Sequence, residues 1–359
     1  AMTNNSLLDS RDKLAKLDKS NVLGSIEALP DQIRDAWEQT ESLSFPPDFP
    51  NVKNIIVSGM GGSALGAHVI KNLYKDELTL PLEIYSHYHL PGYVNEDSLV
   101  ILSSYSGNTE EILAASEQAI KVGAKISVIT GGGKLLELAL EHDWPHYHIN
   151  PTYNPSGEPR MAIGYAVVGM LGVFSKLGIV NLSEKDLLDL TDKLEELIQK
   201  LSPDSVDGNM AKLLAYHAFD KMLILSGAEH LIGAVHVTNN QLNENAKLLT
   251  AEWHLPEFNH HYLEALTNPS KLREDTLFLL FNSHLYMPEV TKRVHLTADV
   301  IKQAGFDAEV IEATASTKLE QVFEIITLGS FLNFYLAMLY QLDPAPIPNV
   351  DHFKSEMAK

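Results

Sequence analysis

The chain has 359 residues, 45% of them hydrophobic, no cysteine, and a formal net charge of −20. That length accommodates two domains with full cores. The absence of cysteine excludes disulfides, thiolate zinc sites and a cysteine nucleophile, and the acidic balance argues against a nucleic-acid or anionic-membrane partner.

Residues 7–40 place leucines, isoleucines and Trp37 at helical spacing and predict an amphipathic helical segment. Three prolines within 44–50 mark a linker. Strands are then expected at 52–58, 82–85, 99–102, 125–130 and 146–149, with helices at 63–74, 109–122 and 135–141 between them. The apolar stretch 161–177 reads as a buried helix; Gly164, Gly169 and Gly172 interrupt it too often for a membrane span. Residues 184–201 form an amphipathic helix, broken by 203–208. A second alternation follows, with strands at 222–226, 276–282 and 308–312 and helices at 235–249, 289–304 and 317–341.

This βαβ rhythm implies an α/β fold of two doubly wound parallel sheets, each layered between helices, behind an N-terminal helical segment. The expected units are an extension and linker at 1–50, a first domain at 51–180, a helical connector at 181–205 and a second domain at 206–359. The polar N-terminus shows no secretory pattern, and no run of about 18 apolar residues occurs, so a cytoplasmic protein without a membrane span is expected.

Two turns in the first half carry chemistry. Ser103-Ser104-Tyr105-Ser106-Gly107-Asn108-Thr109 joins a buried strand to a helix start. Its hydroxyls and backbone N–H groups, together with the helix dipole, suit an anion, and the lack of Lys or Arg points to the phosphate of a small metabolite. Ser58-Gly59-Met60-Gly61-Gly62-Ser63 makes a similar strand-to-helix turn. Gly59-x-Gly61-x-x-Ala64 also matches the relaxed dinucleotide fingerprint, which raises a nicotinamide-dependent oxidoreductase as a rival. That fingerprint needs an acidic residue ending the second strand, whereas Glu83 lies inside it and Ile84-Tyr85-Ser86 follow.

Four further motifs stand out. Arg160 follows the turn Asn154-Pro155-Ser156-Gly157-Glu158-Pro159 and suits a fixed guanidinium facing a developing oxyanion, or a surface salt bridge. Glu244 lies among amides in Asn240-Gln241-Leu242-Asn243-Glu244-Asn245-Ala246-Lys247 and suits a general base, or a solvated helix face. His260 and His261 adjoin in Leu255-Pro256-Glu257-Phe258-Asn259-His260-His261, with no third metal ligand at a recognisable spacing, so no metal is expected. The chain closes on Leu342-Asp343-Pro344 through Lys354. His87, His89, His146 and His148 alternate along strands and read as structural.

The glycine-serine turn and the Ser104-Tyr105-Ser106-Gly107-Asn108-Thr109 loop together resemble the sugar isomerase (SIS) domain family. Over about residues 50–354 the chain is similar to the bifunctional phosphoglucose/phosphomannose isomerases. The resemblance implies that Gly61, Gly62, Ser63, Ser104, Ser106 and Thr109 hold a sugar phosphate. It assigns Arg160 to the active site, Glu244 of a Glu-Asn-x-Lys signature to proton abstraction between C1 and C2, His260 to ring opening, and Lys354 to the sugar oxygens. It implies no cofactor and no metal, and a homodimer in which His260 serves the neighbouring subunit. His261 stands where the family has Asn. Residues 343–353 contain no Ser or Thr, where some dual-specificity members carry a threonine, so glucose 6-phosphate is the firmer expected substrate. Two other readings remain at this level: an isomerase of another sugar phosphate, and a sugar-phosphate sensor, which would lack the Glu244 and His260 motifs.

Overall fold

The computed structural model describes residues 7–359, so the first six residues of the expected N-terminal extension lie outside it. The helical segment is three short helices, α1 (Arg11–Leu17), α2 (Val22–Glu27) and α3 (Leu29–Thr40). The expected stretch breaks because Asp18 turns its carboxylate onto the amides of Val22 and Leu23, at 2.8 and 3.0 Å, while Asn21 takes a left-handed conformation that caps α2.

The first domain runs β1 (Asn54–Gly59), α4 (Leu65–Leu73), β2 (Leu82–Tyr85), β3 (Ser98–Ser104), α5 (Glu110–Lys121), β4 (Lys125–Thr130), α6 (Gly133–Glu141) and β5 (His146–His148), followed by α7 (Ile163–Lys176). Its five strands are all parallel, in the order β2-β1-β3-β4-β5. Both faces of the sheet are apolar, as helices on both sides require. Ile55, Val57, Leu99 and Ile101 belong to the main core with α4 and α7, whereas Ile56, Val100, Leu102, Ile126 and Val128 form a separate core with α5 and α6.

The connecting helix α8 (Glu184–Leu201) starts at a Ser183–Asp186 capping box and buries Leu187, Leu190, Leu194, Ile198 and Leu201. The second domain contains α9 (Met210–Ala218), β6 (Met222–Ser226), α10 (Ile232–Ala246), β7 (Thr250–Glu252), α11 (Phe258–His261), α12 (Leu272–Asp275), β8 (Thr276–Ser283), α13 (Pro288–Gln303), β9 (Asp307–Ala313), α14 (Lys318–Leu339) and α15 (Pro348–Met357). Its parallel sheet, β7-β6-β8-β9, repeats the first order without a fifth strand. The domains are joined through helices: a Cβ on Gly233 of α10 would lie 2.5 Å from the backbone of His68 and Val69 on α4. Helix α14 is apolar and long enough to cross a bilayer, but 89% of its apolar window is buried in the protein, as befits a helix hydrophobic on all sides at the centre of a core.

The expected helix 235–249 starts at Ile232 and stops at Ala246, because Lys247 adopts φ +56 and ends it with a left-handed cap. Residues 250–252 then pair with β6 as a strand. The sequence pattern predicts neither α9 nor α15. No residue of α15 is buried, so its apolar positions carry no core-facing pattern.

Candidate active site

Gly59 of β1 lies opposite Ser103 of β3, so the glycine turn and the Ser/Thr loop leave adjacent strands on the same edge of the sheet, where open α/β sheets bind ligands. Gly61 has φ +50, and the space its side chain would occupy is open for 4 Å. Ser63 Oγ accepts from the Tyr105 amide at 2.9 Å, and Ser103 Oγ donates to the Ser63 carbonyl at 2.8 Å, locking the two turns together. Ser104 Oγ accepts from the Gly107 amide at 3.0 Å and lies 2.7 Å from Thr109 Oγ1; Ser106 Oγ accepts from the Asn108 amide at 3.1 Å. Thr109 is the N-cap residue of α5, and its side chain caps none of the first amides of that helix. The six residues expected to hold phosphate are thus on one rim.

Arg160 sits on the single turn Pro159–Met161 that precedes α7 and is 1% exposed. A Cβ on Gly62 would lie 3.0 Å from the Arg160 nitrogen, so the glycine turn packs directly on the arginine's backbone. Among the described residues the guanidinium makes four hydrogen bonds. Nε donates to Asn245 Oδ1 at 2.6 Å, and Nη2 donates to the carbonyls of Pro344 and Ala345, both at 2.9 Å. Nη1 is shared by two carboxylates, Glu158 at 3.0 Å and Glu244 at 3.4 Å. Beneath it lies a buried amide network: Asn245 donates to Asn333 Oδ1 at 2.8 Å, Asn333 to Gln241 Oε1 at 2.9 Å, and Gln241 back to the Arg160 carbonyl at 3.1 Å. A buried charge persists only when paired and hydrogen-bonded in this way.

Glu244 stands on the last turn of α10. Burial raises its pKa; the charge of Arg160 opposes this, the neighbouring carboxylate of Glu158 adds to it, and Lys247 and Lys354 oppose it further. A carboxylate perturbed upward beside a fixed cation suits a general base. Lys247 donates to the Glu244 carbonyl and, at 3.1 Å, to the Pro344 carbonyl. Burial holds its pKa down, with the charge of Arg160 acting in the same direction. Beyond Glu244 opens a groove of about 820 Å³ walled by Leu248, Leu249, Leu342, Ile347 and Val350. Lys354, on exposed α15, is close enough for its charge to act on Glu244.

His260 is exposed on α11, and no described side chain pairs with it. It meets neither Arg160 nor Glu244 within this chain. His261 rests edge-on against Trp253, centroids 5.4 Å apart, and 3.8 Å from Glu257. Below this segment Glu252 is flanked by His236 and, at 3.1 Å, His254, whose Nδ1 accepts from the Gly227 amide at 3.1 Å. Sequence reasoning did not single out Glu158, Asn245 or Lys247 as site residues. Glu158 has only its place beside Arg160 as a signal, whereas Asn245 and Lys247 lie in the Glu-Asn-x-Lys signature around Glu244.

The description "Bacterial phospho-glucose isomerase C-terminal SIS domain" matches residues 207–357, and "SIS domain" matches residues 49–135. A bifunctional phosphoglucose/phosphomannose isomerase from Caldicellulosiruptor bescii is 31% identical over 341 residues, covering 93% of this chain and 98% of that protein. Another so named, from Thermoplasma acidophilum, is 27% identical over 306 residues, covering 85% and 90%. The crystal structure of a hypothetical protein from Thermus thermophilus superposes with a TM-score of 0.71 at 17% identity, covering 97% of this chain and 92% of that one, and shares the fold. The chain belongs to the bifunctional phosphoglucose/phosphomannose isomerase family.

Proposed function

We propose that the protein is an aldose–ketose isomerase that interconverts glucose 6-phosphate and mannose 6-phosphate with fructose 6-phosphate through a cis-enediolate. The observation that carries this reading is the join between anion turn and base. Gly62 touches the backbone of Arg160, and Arg160 lies 3.4 Å from a carboxylate whose pKa is raised.

In this reading Gly61, Gly62, Ser63, Ser104, Ser106, Thr109 and the start of α5 anchor the phosphate, and that remote binding energy orients C1 and C2. Glu244 removes the proton from one carbon and returns it to the other. Arg160 stabilises the negative charge on the enediolate oxygens through Nη1; the other guanidinium nitrogens are committed to Asn245 and to the Pro344 and Ala345 carbonyls. Lys354 meets the sugar oxygens from α15. His260 is exposed and pairs with no described side chain, and the groove beside Glu244 is open. Both features support a homodimer in which His260 of the partner subunit assists ring opening. The protein needs no cofactor for this chemistry.

The test is a coupled assay for fructose 6-phosphate formation from glucose 6-phosphate and mannose 6-phosphate side by side, with glucosamine 6-phosphate as the alternative substrate. Turnover of the first two is expected, with any hydrogen taken up from solvent deuterium oxide appearing at C1 of the fructose 6-phosphate. Turnover of the amino sugar alone would overturn the substrate assignment.

A further inference from the structure

Arg160 has one positive charge and two carboxylate neighbours on the same nitrogen. Glu158 Oε2 lies 3.0 Å from Nη1 and Glu244 Oε2 lies 3.4 Å from it, so the residue with no assigned role has the closer contact. Glu158 is not there by side-chain drift. It is the N-cap residue of the Arg160 turn, and its carbonyl accepts from Asn154 Nδ2 at 3.0 Å. The same Asn154 nitrogen donates to Tyr105 Oη of the Ser/Thr loop at 3.2 Å, and Asn154 Oδ1 accepts from Ser25 Oγ of α2 at 2.8 Å. Two elements outside the turn therefore hold the backbone from which Glu158 reaches the guanidinium. Both carboxylates are partly screened, their side chains 26% and 29% exposed.

We infer that Glu158 is a positioning residue that sets the protonation behaviour of Glu244 by dividing Arg160 Nη1 between two carboxylates. The inference rests on Glu244 being the base of the proposed isomerase. A lone Glu244 paired fully with a buried arginine would be a poor base, because the ion pair stabilises its charged form and lowers its proton affinity. Glu158 counters this twice. It takes the shorter share of Nη1, and its own charge repels a second anion a few ångströms away. The other charges facing Glu244 are Lys247 from the cap of α10 and Lys354 from α15, both of which favour the ionised form, with Asp343 beside Lys247. Glu158 is the one group among these that pushes Glu244 toward protonation by charge, in the same sense as burial. A base with higher proton affinity abstracts a carbon-bound proton faster once deprotonated.

The experiment is the pH profile of kcat/KM for Glu158→Gln, Glu158→Asp and the unsubstituted protein on the same sugar phosphate, whose own titration is common to all three. Glu158→Gln keeps the shape and an acceptor for Nη1 but removes the charge. Its acid limb is expected to move to lower pH by on the order of one unit, the scale for removing a like charge at this range, with the plateau falling several-fold. Glu158→Asp keeps the charge and should keep the limb near its original position even if KM changes. A Glu158→Gln profile that superimposes on the unsubstituted one, or moves to higher pH, overturns the inference. Should Glu158→Gln fail to fold, as read by its melting curve, a Glu158→Asp limb displaced as far as a charge loss would displace it overturns the inference equally. Glu244→Gln run alongside separates the two readings: normal turnover there removes the base assignment itself, whereas a dead Glu244→Gln with an unmoved Glu158→Gln limb removes only the role of Glu158.

Discussion

Gly62 and Arg160 are in backbone contact: a Cβ on the glycine would lie 3.0 Å from the arginine nitrogen and 3.3 Å from its Cα. The proposed phosphate turn and the buried guanidinium are therefore one mechanical unit. Gly62→Ala must push the Arg160 turn aside by a few tenths of an ångström. The expected cost is about 1–3 kcal/mol of stability, with kcat/KM falling roughly tenfold to a hundredfold as the guanidinium is displaced. Gly92, whose Cβ would meet nothing within 4 Å, is the control. Denaturant melts and steady-state kinetics of Gly62→Ala and Gly92→Ala check this, and equal behaviour of the two would remove the coupling.

Glu244→Gln retains the shape of the side chain and its place beside Nη1 but cannot accept a proton. Turnover is expected to fall by about two to four orders of magnitude, the usual scale for a general base. Binding of a non-reactive sugar phosphate, followed calorimetrically, should stay close to that of the unsubstituted protein, because the proposed phosphate rim is on the other domain. A large loss of affinity with turnover preserved would contradict the division of labour.

If the exposed His260 serves the second subunit, two inactive variants repair each other. In a hybrid dimer of Glu244→Gln and His260→Ala chains, the site on the His260→Ala chain has an intact Glu244 and receives His260 of the partner subunit. Mixing the variants under conditions of subunit exchange is expected to restore up to a quarter of the activity, since about half of the dimers are hybrid and each has one complete site. No gain over the separate variants, with dimers present by sedimentation, would place His260 outside the shared site.

The strand that leads toward His260 carries its own pH dependence. Burial pushes Glu252 up, but hydrogen bonds from His236 and His254 outweigh it and bring the carboxyl to about 2. A folded pKa below the unfolded value means stability that is fully present above about 4.3 and is lost as pH falls toward 2. Glu252→Gln should therefore lower stability at pH 7 by an amount on the order of 3 kcal/mol and by progressively less below pH 4. Urea melts of both proteins across that range test it. A constant difference at all pH values would mean that packing, and not charge, is what the substitution removes.

Much of this architecture is legible along the chain. Strand 125–130, helix 184–201 and strand 222–226 are found at their expected limits, because alternation, helical spacing and a Ser183 cap are local properties. The turns after β1 and β3 were readable for the same reason: glycine, serine and threonine at a strand-to-helix junction state their own geometry. Helix α15 was not readable, since it buries no face, nor was the end of α10 at Lys247, where a lysine takes a conformation usually left to glycine.

The amino-acid order alone determined the two parallel sheets, the proposed anion-binding rim and the candidate base, because periodicity and turn chemistry act over a few neighbouring residues. Only the tertiary structure decided that one arginine nitrogen is shared by Glu158 and Glu244, that the Pro344 and Ala345 carbonyls take another, and that His260 stands apart from all of them. Those relationships depend on how two domains pack against each other, and a buried charge selects its partners by distance in the folded core, not by position in the chain.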